Sequence, residues 1–529
     1  MDLRVRVEQA LAAAGSARTM AKYLAGRGKA ELETFLSDMA GVDLEWLKKH
    51  RAALGADSGP DHGGELVPTE PEVIGAAEQA ELVRIGMESL RRGEWAEVVF
   101  AGGAGTRFGG EAKGLVPVTP VLGRSFLELF AAQALATGIE CGRMPLVVVM
   151  TSSVTSGPIG RWIESAGLQG FPKPTMFELR QAEHPRLDED GDIIADETGH
   201  IVFTGDGHGG VFRALLRPER GETAAARLRA AGVRSLVLHN VDNAGACPFE
   251  PARLGLHRRD RRLLTLTVVE RAGPHEKVGL VARNAGNGRV AVVEYSVCPR
   301  ALAESPRFTL AHVNTNLVEL TAIRPDLPPT LYRDKIVSVA GREIATSSLE
   351  MLNQQLAALL RPSEVGVVLM PRAGFFLPTK TRDAEDSLAE TQAALARQAA
   401  ERLRRGGARV ADSAVVEIDP CVGELDCAGW RIEAGAKLAL AARHGVQSRP
   451  VVGSGLVVGE GATLRVVAEL PYGRLKLDAT TRAIREDVAT AERVSIGDNV
   501  TVVKGADVTV RASVGAGVVV ADNTAMGGE

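Results

Sequence analysis

The chain has 529 residues, which is enough for two to four domains with a large hydrophobic core. Its 62 basic and 66 acidic residues leave a net charge of −4, so no basic excess favours nucleic acid as a partner. No apolar run reaches the length of a membrane span, and the acid-containing N-terminal segment lacks the pattern of a secretory signal. Five scattered cysteines without a C-x-x-C pair suit a reducing compartment, so we expect a cytoplasmic protein.

The first half of the chain predicts helices followed by an α/β domain. Apolar residues recur at helical spacing through residues 1–52, and the polar, Gly- and Pro-rich residues 53–72 predict a linker or an ordered excursion. Helical periodicity returns at 80–93, and apolar runs then alternate with helical stretches, which predicts a mainly parallel, mixed sheet. The strands are expected at 98–100, 146–150, 235–238, 264–269, 278–282, 290–293 and 366–369, and a strong amphipathic helix is expected at 383–406.

A glycine-rich loop follows the first predicted strand. It carries Gly102, Gly103, Gly105, Gly109 and Gly110. Open α/β sheets bind ligands at this edge, and glycine lets backbone N–H groups approach a phosphate closely. Arg107 and Lys113 add two positive charges, so the loop predicts a polyphosphate site rather than a plain turn. Its spacing matches neither a Walker A loop nor a dinucleotide loop.

Two further stretches carry candidate ligand groups. FTGDGHGGVFRALL at 203–216 contains Gly207 and His208 just before a predicted helix, whose first amides can bind an anion or a base edge. The strand SLVLHN ends shortly before Asp242 and Asn243, where a carboxylate close to a phosphate loop suits Mg²⁺. In both stretches the alternative is an ordinary turn.

Amides, a carboxylate and a lysine complete the candidate groups. Glu294, Asn314 and Asn316 have the chemistry that hydrogen-bonds sugar hydroxyls, although this signal is weak alone. Lys380 follows an apolar FFLP segment and either extends from a core edge or reaches a phosphate. Nothing in the sequence has the pattern of an activated nucleophile. Cations, one acid and backbone donors suit phosphoryl or nucleotidyl transfer.

The C-terminal residues divide into hexads from Val494, with small or aliphatic residues at the first and third positions. This period predicts a left-handed parallel β-helix, and the alternative is a sandwich of short strands. Residues 456–467 fit the same register, and residues 468–493 are expected to be an excursion from the coil.

In combination, these motifs resemble the UDP-sugar pyrophosphorylase family over about residues 75–525. FAGGAGTRFGGEAKG at 100–114 is similar to the family signature L-x-G-G-x-G-T-R-x-G-x-x-x-P-K, with Ala112 in place of proline. MTSS at 150–153 and DGHGGVFRAL at 206–215 resemble the N-acetylglucosamine-1-phosphate members, which usually have Asn in place of His208. The Gly-His-Gly itself, NTN at 314–316, FLPTKT at 376–381 and the β-helix resemble the glucose-1-phosphate members.

The resemblance implies an architecture in three parts. These are an N-terminal helical region with a linker at 1–75, a catalytic domain at 76–408 and a C-terminal left-handed parallel β-helix at 409–529. The catalytic domain would have an α/β, Rossmann-like nucleotidyltransferase (GT-A-like) fold with a mixed sheet. The β-helix would pack on the enzyme or mediate a homo-oligomer.

The resemblance also implies roles for individual residues. UTP would be held by Gly102, Gly103, Gly105, Thr106, Arg107 and Lys113, and its uracil would be read by Gln181, Gly207 and His208. Asp242 would bind Mg²⁺, and the sugar phosphate would contact Asp242, Asn243, Glu294, Asn314 and Asn316. Lys380 would bridge the phosphates of both substrates and, with Arg107 and Lys113, form the catalytic set.

The implied reaction is transfer of UMP from UTP to a sugar 1-phosphate, with release of pyrophosphate. Glucose 1-phosphate is the first expectation, and N-acetylglucosamine 1-phosphate or a broad range of sugars are the alternatives. A non-catalytic sugar-nucleotide sensor has less need of both Lys113 and Lys380. An acyltransferase working from the β-helix is disfavoured because residues 494–529 contain no histidine to act as a base.

Overall fold

The fold is described from a computed structural model, which describes residues 2–50, 64–105, 108–164, 175–339, 341–423, 425–442, 451–468, 476–478, 480–485, 494–511, 514–521 and 525–526. The α-helices are Leu3–Ala14 (α1), Lys29–Met39 (α2), Leu44–His50 (α3), Ala76–Arg91 (α4), Phe126–Cys141 (α5), Ser153–Glu164 (α6), Val211–Leu216 (α7), Ala224–Ala230 (α8), Pro251–Arg259 (α9), Arg300–Ala303 (α10), Arg372–Phe375 (α11) and Leu388–Arg405 (α12). A π-helical turn spans Met20–Leu24, and 3-10 segments span Lys113–Leu115, His208–Gly210, Asn353–Leu359 and Pro362–Glu364. None of the helices within these ranges is long and apolar enough to cross a membrane.

The strands before residue 400 build one large sheet and several small hairpins. They are Leu66–Pro68 (β1), Glu72–Val73 (β2), Trp95–Phe100 (β3), Ala104–Gly105 (β4), Glu111–Ala112 (β5), Leu146–Thr151 (β6), Met176–Arg180 (β7), Glu183–Pro185 (β8), Phe203–Gly205 (β9), Pro218–Glu219 (β10), Glu222–Thr223 (β11), Ser235–Asn240 (β12), Leu264–Glu270 (β13), Gly279–Asn284 (β14), Val290–Val293 (β15), Leu310–His312 (β16), Asn316–Glu319 (β17), Thr330–Val339 (β18), Arg342–Glu350 (β19) and Val365–Leu369 (β20).

The large sheet has the order β1-β14-β16-β13-β17-β12-β3-β6-β7, with β15 paired to β14, β20 to β13 and β2 to β20. The half that contains β12, β3, β6 and β7 is parallel, and β3 and β6 are buried along their whole length. The half from β17 to β1 is largely antiparallel. The mixed sheet and all seven predicted strands are therefore confirmed, whereas the expectation that parallel pairing prevails holds only for the first half.

The N-terminal helices pack around their own apolar core. Val7, Leu11, Phe35 and Leu47 are almost completely buried there, which confirms the helical interpretation for residues 2–50. The remaining residues of the predicted span 1–52 lie outside the described range. The described part of the expected linker is an ordered excursion, because β1 pairs with β14 and β2 with β20.

The helices that cover the parallel strands have identifiable local causes. Ser125 and Glu128 form a capping box at the start of α5, immediately after the loop that follows β3. Ser387 and Glu390 do the same for α12, which closes the α/β domain. These signals fix where each helix begins, and so where the intervening loops meet the sheet edge.

The C-terminal strands form a parallel β-helix. They are Arg409–Val410 (β21), Val415–Ile418 (β22), Arg431–Ile432 (β23), Lys437–Ala442 (β24), Val451–Val452 (β25), Val457–Val458 (β26), Thr463–Ala468 (β27), Lys476–Leu477 (β28), Ile484–Arg485 (β29), Ser495–Ile496 (β30), Thr501–Val502 (β31), Asp507–Val510 (β32), Val519–Val520 (β33) and Ala525–Met526 (β34). Two ladders, β21-β23-β26-β31-β33 and β22-β24-β27-β32-β34, are parallel throughout.

The six-residue repeat predicted from the sequence matches the burial and the pairing of the C-terminal strands. Val500, Val502, Ala506 and Val508, at first and third hexad positions, are each at most 1% exposed. Ile496 pairs with Val514 eighteen residues later, a step of three hexads. The parallel coil is therefore confirmed, and its left hand stays a prediction.

The expected excursion from the coil contacts the α/β domain. Its described part contains the antiparallel pair β28–β29 and the buried Arg482. Arg482 donates hydrogen bonds to the backbone carbonyls of Met144 (3.1 Å), Gly93 (2.9 Å) and Ala231 (2.9 Å). The excursion therefore fastens the β-helix to the parallel half of the sheet.

Candidate functional site

A cleft of about 710 Å³ opens at the carboxyl edge of β3 and β12. The two strands are parallel neighbours that end at Phe100 and Asn240, so the loops that follow them meet at one place. The volume lies within the range of sites for small molecules. The lining residues include Gly102, Gly103, Lys113, Ser152, Gln181, Glu183, Gly205, Gly207, His208, Asn240, Asp242 and Glu350.

Lys113 and Asp242 form an ion pair in this cleft. The Lys113 Nζ lies 2.7 Å from Oδ2 of Asp242, and both side chains keep about a fifth of their surface exposed (22% and 23%). The second oxygen of Asp242, Oδ1, takes no hydrogen bond from the part of the chain that is described. The predicted phosphate-binding lysine and the predicted metal ligand therefore lie side by side.

The first glycine-rich loop is a small hairpin rather than an open loop. Ala104–Gly105 pairs antiparallel with Glu111–Ala112, and the turn contains Gly109 and Gly110 at φ of 84° and 88°. A Cβ at Gly105 would lie 2.3 Å from the Glu111 carbonyl oxygen, so this glycine is needed for the hairpin. Gly105 is not among the cleft-lining residues, unlike Gly102 and Gly103.

Ala112, at the family's proline position, already has a proline-like backbone. Its φ is −59° and its ψ is 119°, which a proline would also adopt. The turn into Lys113 is therefore held without that rigid ring. Thr106 and Arg107, both predicted to bind UTP, lie outside the described residues.

Gln181 lies between the two glycine-rich loops. A Cβ at Gly205 would lie 1.9 Å from its Nε2, and a Cβ at Gly102 would lie 2.9 Å from its Oε1. The backbone N–H of Gln181 donates to Thr151, extending the pairing of β6 and β7. The two glycines therefore make the space in which this amide reaches the cleft.

The second glycine-rich loop is docked on the end of β19. Gly207 has φ of 79° and ψ of 170°, and a Cβ there would lie 2.4 Å from the carbonyl oxygen of Met351. The Gly209 N–H donates to that same oxygen, and the Met351 N–H donates to the backbone carbonyl oxygen of Asp206 (2.8 Å each). Contact with residues 350–352 therefore fixes the loop that carries His208.

Asp206, in the same loop, is completely buried. Neither carboxylate oxygen has a hydrogen-bond partner in the described chain, and Gly210 leaves the space that this carboxyl occupies. Burial raises the pKa of Asp206 to about 7, and the positive charge of Arg213, which lowers this pKa, offsets only part of the rise.

His208 presents one side of its ring to the cleft. The ring stacks on Phe100, with centroids 5.4 Å apart. Its Nδ1 lies 2.8 Å from Nδ2 of Asn353, an amide with no motif in the sequence. Burial lowers the pKa of His208 to about 3, so the ring is neutral near pH 7.

The two asparagines predicted to contact sugar belong to a buried amide cluster. Asn314 donates to Asn240 (2.8 Å) and accepts from Asn353 (2.8 Å), with its own φ at 50°. Asn316 is fully buried and hydrogen-bonded to Asn353, Asn314 and His312. Neither lines the cleft, so both lie behind its wall in this conformation.

Asn243 supports the cleft from behind. Its side-chain oxygen accepts from the N–H groups of Gly245 and Leu377, and its amide donates to the carbonyl oxygen of Phe375. It is 2% exposed and lies outside the cleft lining. Its amide therefore holds the segment before Lys380 against the end of β12.

Lys380 and Glu294 lie near the cleft but not in its lining. The Thr379 N–H donates to the Asp242 carbonyl oxygen, which brings Lys380 close to the end of β12. The Lys380 Nζ is paired with Asp386 at 3.1 Å. Glu294 accepts a hydrogen bond from Gln354 (2.6 Å), and burial raises its pKa to about 7.

Comparison with known proteins identifies the family. The profile of the family described as UTP–glucose-1-phosphate uridylyltransferase matches residues 93–404, more than half of the chain. This chain belongs to that family. The match runs from just before β3 to the end of α12, so it contains every residue of the cleft.

Curated relatives with similar sequences are named for N-acetylglucosamine rather than for glucose. UDP-N-acetylglucosamine diphosphorylase 2 of Arabidopsis thaliana is 25% identical over 292 residues, which cover 52% of this chain and 57% of that protein. UDP-N-acetylglucosamine pyrophosphorylase of Saccharomyces cerevisiae is 26% identical over 260 residues, 47% of this chain and 53% of that one. The chain therefore spans a little over half the length of these relatives.

Solved structures of the family share the fold. The UDP-N-acetylglucosamine pyrophosphorylase of Trypanosoma brucei superposes with a TM-score of 0.65 at 21% identity, covering 80% of this chain and 93% of that one. The UDP-glucose phosphorylase of the same organism gives 0.54 at 16% identity, covering 94% and 100%. At these identities the likeness concerns the fold alone.

Several residues of the uridylyltransferase-family cleft and its wall escaped the sequence analysis, among them three polar residues at the ends of structural elements. Asn240 is the last residue of β12, Glu350 the last of β19, and Asn353 begins the 3-10 segment that follows. The position of Asn240 at a strand end was a usable signal. Glu350 and Asn353 reach the site only because residues 350–352 dock on Gly207 and Gly209, which no local pattern reveals.

Proposed function

We propose that this protein transfers UMP from UTP to N-acetylglucosamine 1-phosphate, giving a UDP-sugar and pyrophosphate. The Lys113–Asp242 pair in a cleft between two glycine-rich loops carries the proposal, because it combines a phosphate-binding cation with a metal-binding acid. Glucose 1-phosphate was the first expectation from sequence. The names of the relatives favour the N-acetylated sugar, so the proposal follows them.

The nucleotide would lie across both loops. The backbone at Gly102 and Gly103, together with Lys113, would hold the triphosphate, and Gln181, Gly207 and His208 would contact the base. A lysine beside phosphate oxygens is a strong, charge-assisted donor. Triphosphate binding would therefore draw the ammonium of Lys113 away from Asp242.

Asp242 fits a magnesium site that is completed by substrate. Within the described ranges no three His, Cys, Asp or Glu side chains cluster as a metal site. Mg²⁺ commonly takes only one or two protein carboxylates and fills its remaining positions with phosphate oxygens and water. Asp242 would be that carboxylate, and the bound ion would neutralise part of the charge on the triphosphate.

The chemical step needs positioning rather than a protein nucleophile. A phosphate oxygen of the sugar phosphate would attack the α-phosphorus of UTP in line, and the bond to the leaving pyrophosphate would break. Lys113 and Lys380 would offset the repulsion between the two anions. Lys380 would first have to leave Asp386, which holds its ammonium at 3.1 Å.

The sugar would lie beyond the phosphates, towards Glu294 and Asn314. The Glu294 carboxyl, half-buried and bonded to Gln354, is suited to accept from a sugar hydroxyl. Asn314 would need a small rearrangement of the amide cluster to reach the ligand, since both of its side-chain groups are occupied.

A competition experiment tests this proposal. Purified protein is incubated with UTP, magnesium and an equimolar mixture of N-acetylglucosamine 1-phosphate and glucose 1-phosphate. The UDP-sugars formed are then identified and quantified by mass spectrometry. We expect UDP-N-acetylglucosamine to dominate. UDP-glucose as the main product would overturn the sugar assignment. Absence of both UDP-sugars would overturn the proposed uridylyltransferase activity.

A further inference from the structure

Two donors from one residue converge on the same nitrogen of His208. The backbone N–H of Asn353 points at Nδ1 from 3.2 Å, and the Asn353 side-chain amide lies 2.8 Å from the same atom. A backbone N–H can only donate, whichever way the side-chain amide is oriented. Nδ1 must therefore be an acceptor, and the proton of the neutral ring resides on Nε2.

This single backbone donor also orients the amide cluster behind the cleft. With Nδ1 accepting, the side chain of Asn353 must approach it with Nδ2, which leaves Oδ1 to accept from Asn316 at 2.6 Å. The oxygen of Asn316 then accepts from Nε2–H of His312 at 3.0 Å. The orientation of the cluster and the tautomer of His208 are therefore coupled.

We propose that Asn353 is a positioning residue that locks His208 in its Nε2–H tautomer, so that the ring offers an N–H donor to an oxygen of the ligand. Asn353 takes Nδ1 and Phe100 stacks on the ring face, which leaves Nε2 as the nitrogen able to meet a ligand. The acceptor is a carbonyl oxygen of the base or a phosphate oxygen. The identity of the ligand as UTP rests on the proposed function, whereas the tautomer does not.

The tautomer is measured directly by nuclear magnetic resonance on protein labelled with ¹⁵N-histidine. The chain has ten histidines, and the signals of His208 are assigned by their loss in His208→Gln. We expect a protonated Nε2 and an unprotonated Nδ1 in the ligand-free protein. A protonated Nδ1 would overturn the proposal, and this result needs no variant of Asn353 to fold.

Ligand titrations then identify the acceptor. Uridine and inorganic pyrophosphate are added separately to the labelled protein. A shift of the Nε2–H signal with uridine assigns a base oxygen, and a shift with pyrophosphate assigns a phosphate oxygen. If neither probe nor UTP moves the signal although UTP binds, His208 is not a ligand donor and the proposal fails.

Asn353→Asp tests the role of the amide. Its carboxylate can only accept, so it would repel the accepting Nδ1 that the backbone N–H of residue 353 still faces. We expect either a shift of the ring or protonation of Nδ1 with loss of the backbone hydrogen bond, and in both cases the affinity for UTP should fall at least tenfold. Leu359→Ala is the control, because Leu359 ends the same 3-10 segment and its side chain is exposed. An unchanged tautomer and unchanged UTP affinity in a folded Asn353→Asp variant would contradict the proposal.

Discussion

Replacing Gly207 with alanine should be among the most damaging single-methyl changes in the cleft. With φ of 79° and ψ of 170°, Gly207 occupies a region that only glycine adopts without strain, and a side chain there costs about 1–3 kcal/mol. The new Cβ would also lie 2.4 Å from the Met351 carbonyl oxygen, which accepts from Gly209. Displacing that hydrogen bond adds about 1 kcal/mol, for a total loss of about 2–4 kcal/mol in the free energy of unfolding.

The assay compares urea unfolding and UTP affinity in two alanine variants. Gly232→Ala is the matched control, because Gly232 also has a positive φ (85°) but no atom lies within 4 Å of the point that an added Cβ would occupy. Backbone strain alone should cost the control about 1–2 kcal/mol and leave UTP affinity intact. Equal losses of stability in both variants, with UTP affinity unchanged in Gly207→Ala, would refute the idea that Met351 seats this loop.

Three further predictions concern the cleft and its loops. Ala112→Pro should raise the free energy of unfolding by about 0.4–1 kcal/mol, measured by urea unfolding, because the alanine already has proline-like dihedral angles; a loss would mean that its N–H is needed. Asp206→Asn should become more stable relative to wild type as the pH rises from 5 to 8. The reason is that wild type loses stability as the pH rises from the unfolded pKa of this carboxyl towards its folded pKa of about 7. The melting temperatures of the two proteins are compared at each pH, and a constant difference across that range would contradict this. Lys380→Ala should lower turnover by about 10²–10³, as for loss of one charge-stabilising donor, and near-normal turnover would remove Lys380 from the mechanism.

The strands were predictable because a strand buried on both faces needs consecutive apolar residues, and these are visible in the sequence as an apolar run. The run at 98–100 and the run at 235–238 both became strands of the parallel half, extended by two to three residues. A mixed sheet was predicted, but the extent of its antiparallel half was not, since a strand buried on both faces has the same composition in either orientation. Register and direction there depend on connections that the apolar pattern does not record.

The candidate site was predictable where function depends on a local motif. Gly102, Lys113, Gln181, His208 and Asp242 were named from sequence motifs and all line the cleft. The hairpin inside the first loop was missed because two-residue strands carry no periodicity of their own.

The amide cluster was missed for a different reason. Its members are separated by up to 145 residues in the chain, as between His208 and Asn353, and only tertiary contact joins them. Asn314 and Asn316 were predicted to contact the sugar, and that contact stays a prediction. The structure places them behind the cleft wall, where they orient neighbouring amides.

The most direct test of the account is UTP binding, measured calorimetrically for wild type, Lys113→Ala and Lys504→Ala. Lys504 forms an exposed pair with Glu460 on the β-helix, at 2.8 Å, and serves as the control. Removing a charge-assisted donor costs about 1.5–3 kcal/mol, so Lys113→Ala should bind UTP roughly 10- to 150-fold more weakly, and Lys504→Ala should match wild type. Equal affinity in all three proteins, or no binding of UTP by wild type, would contradict the assignment of this cleft as the nucleotide site.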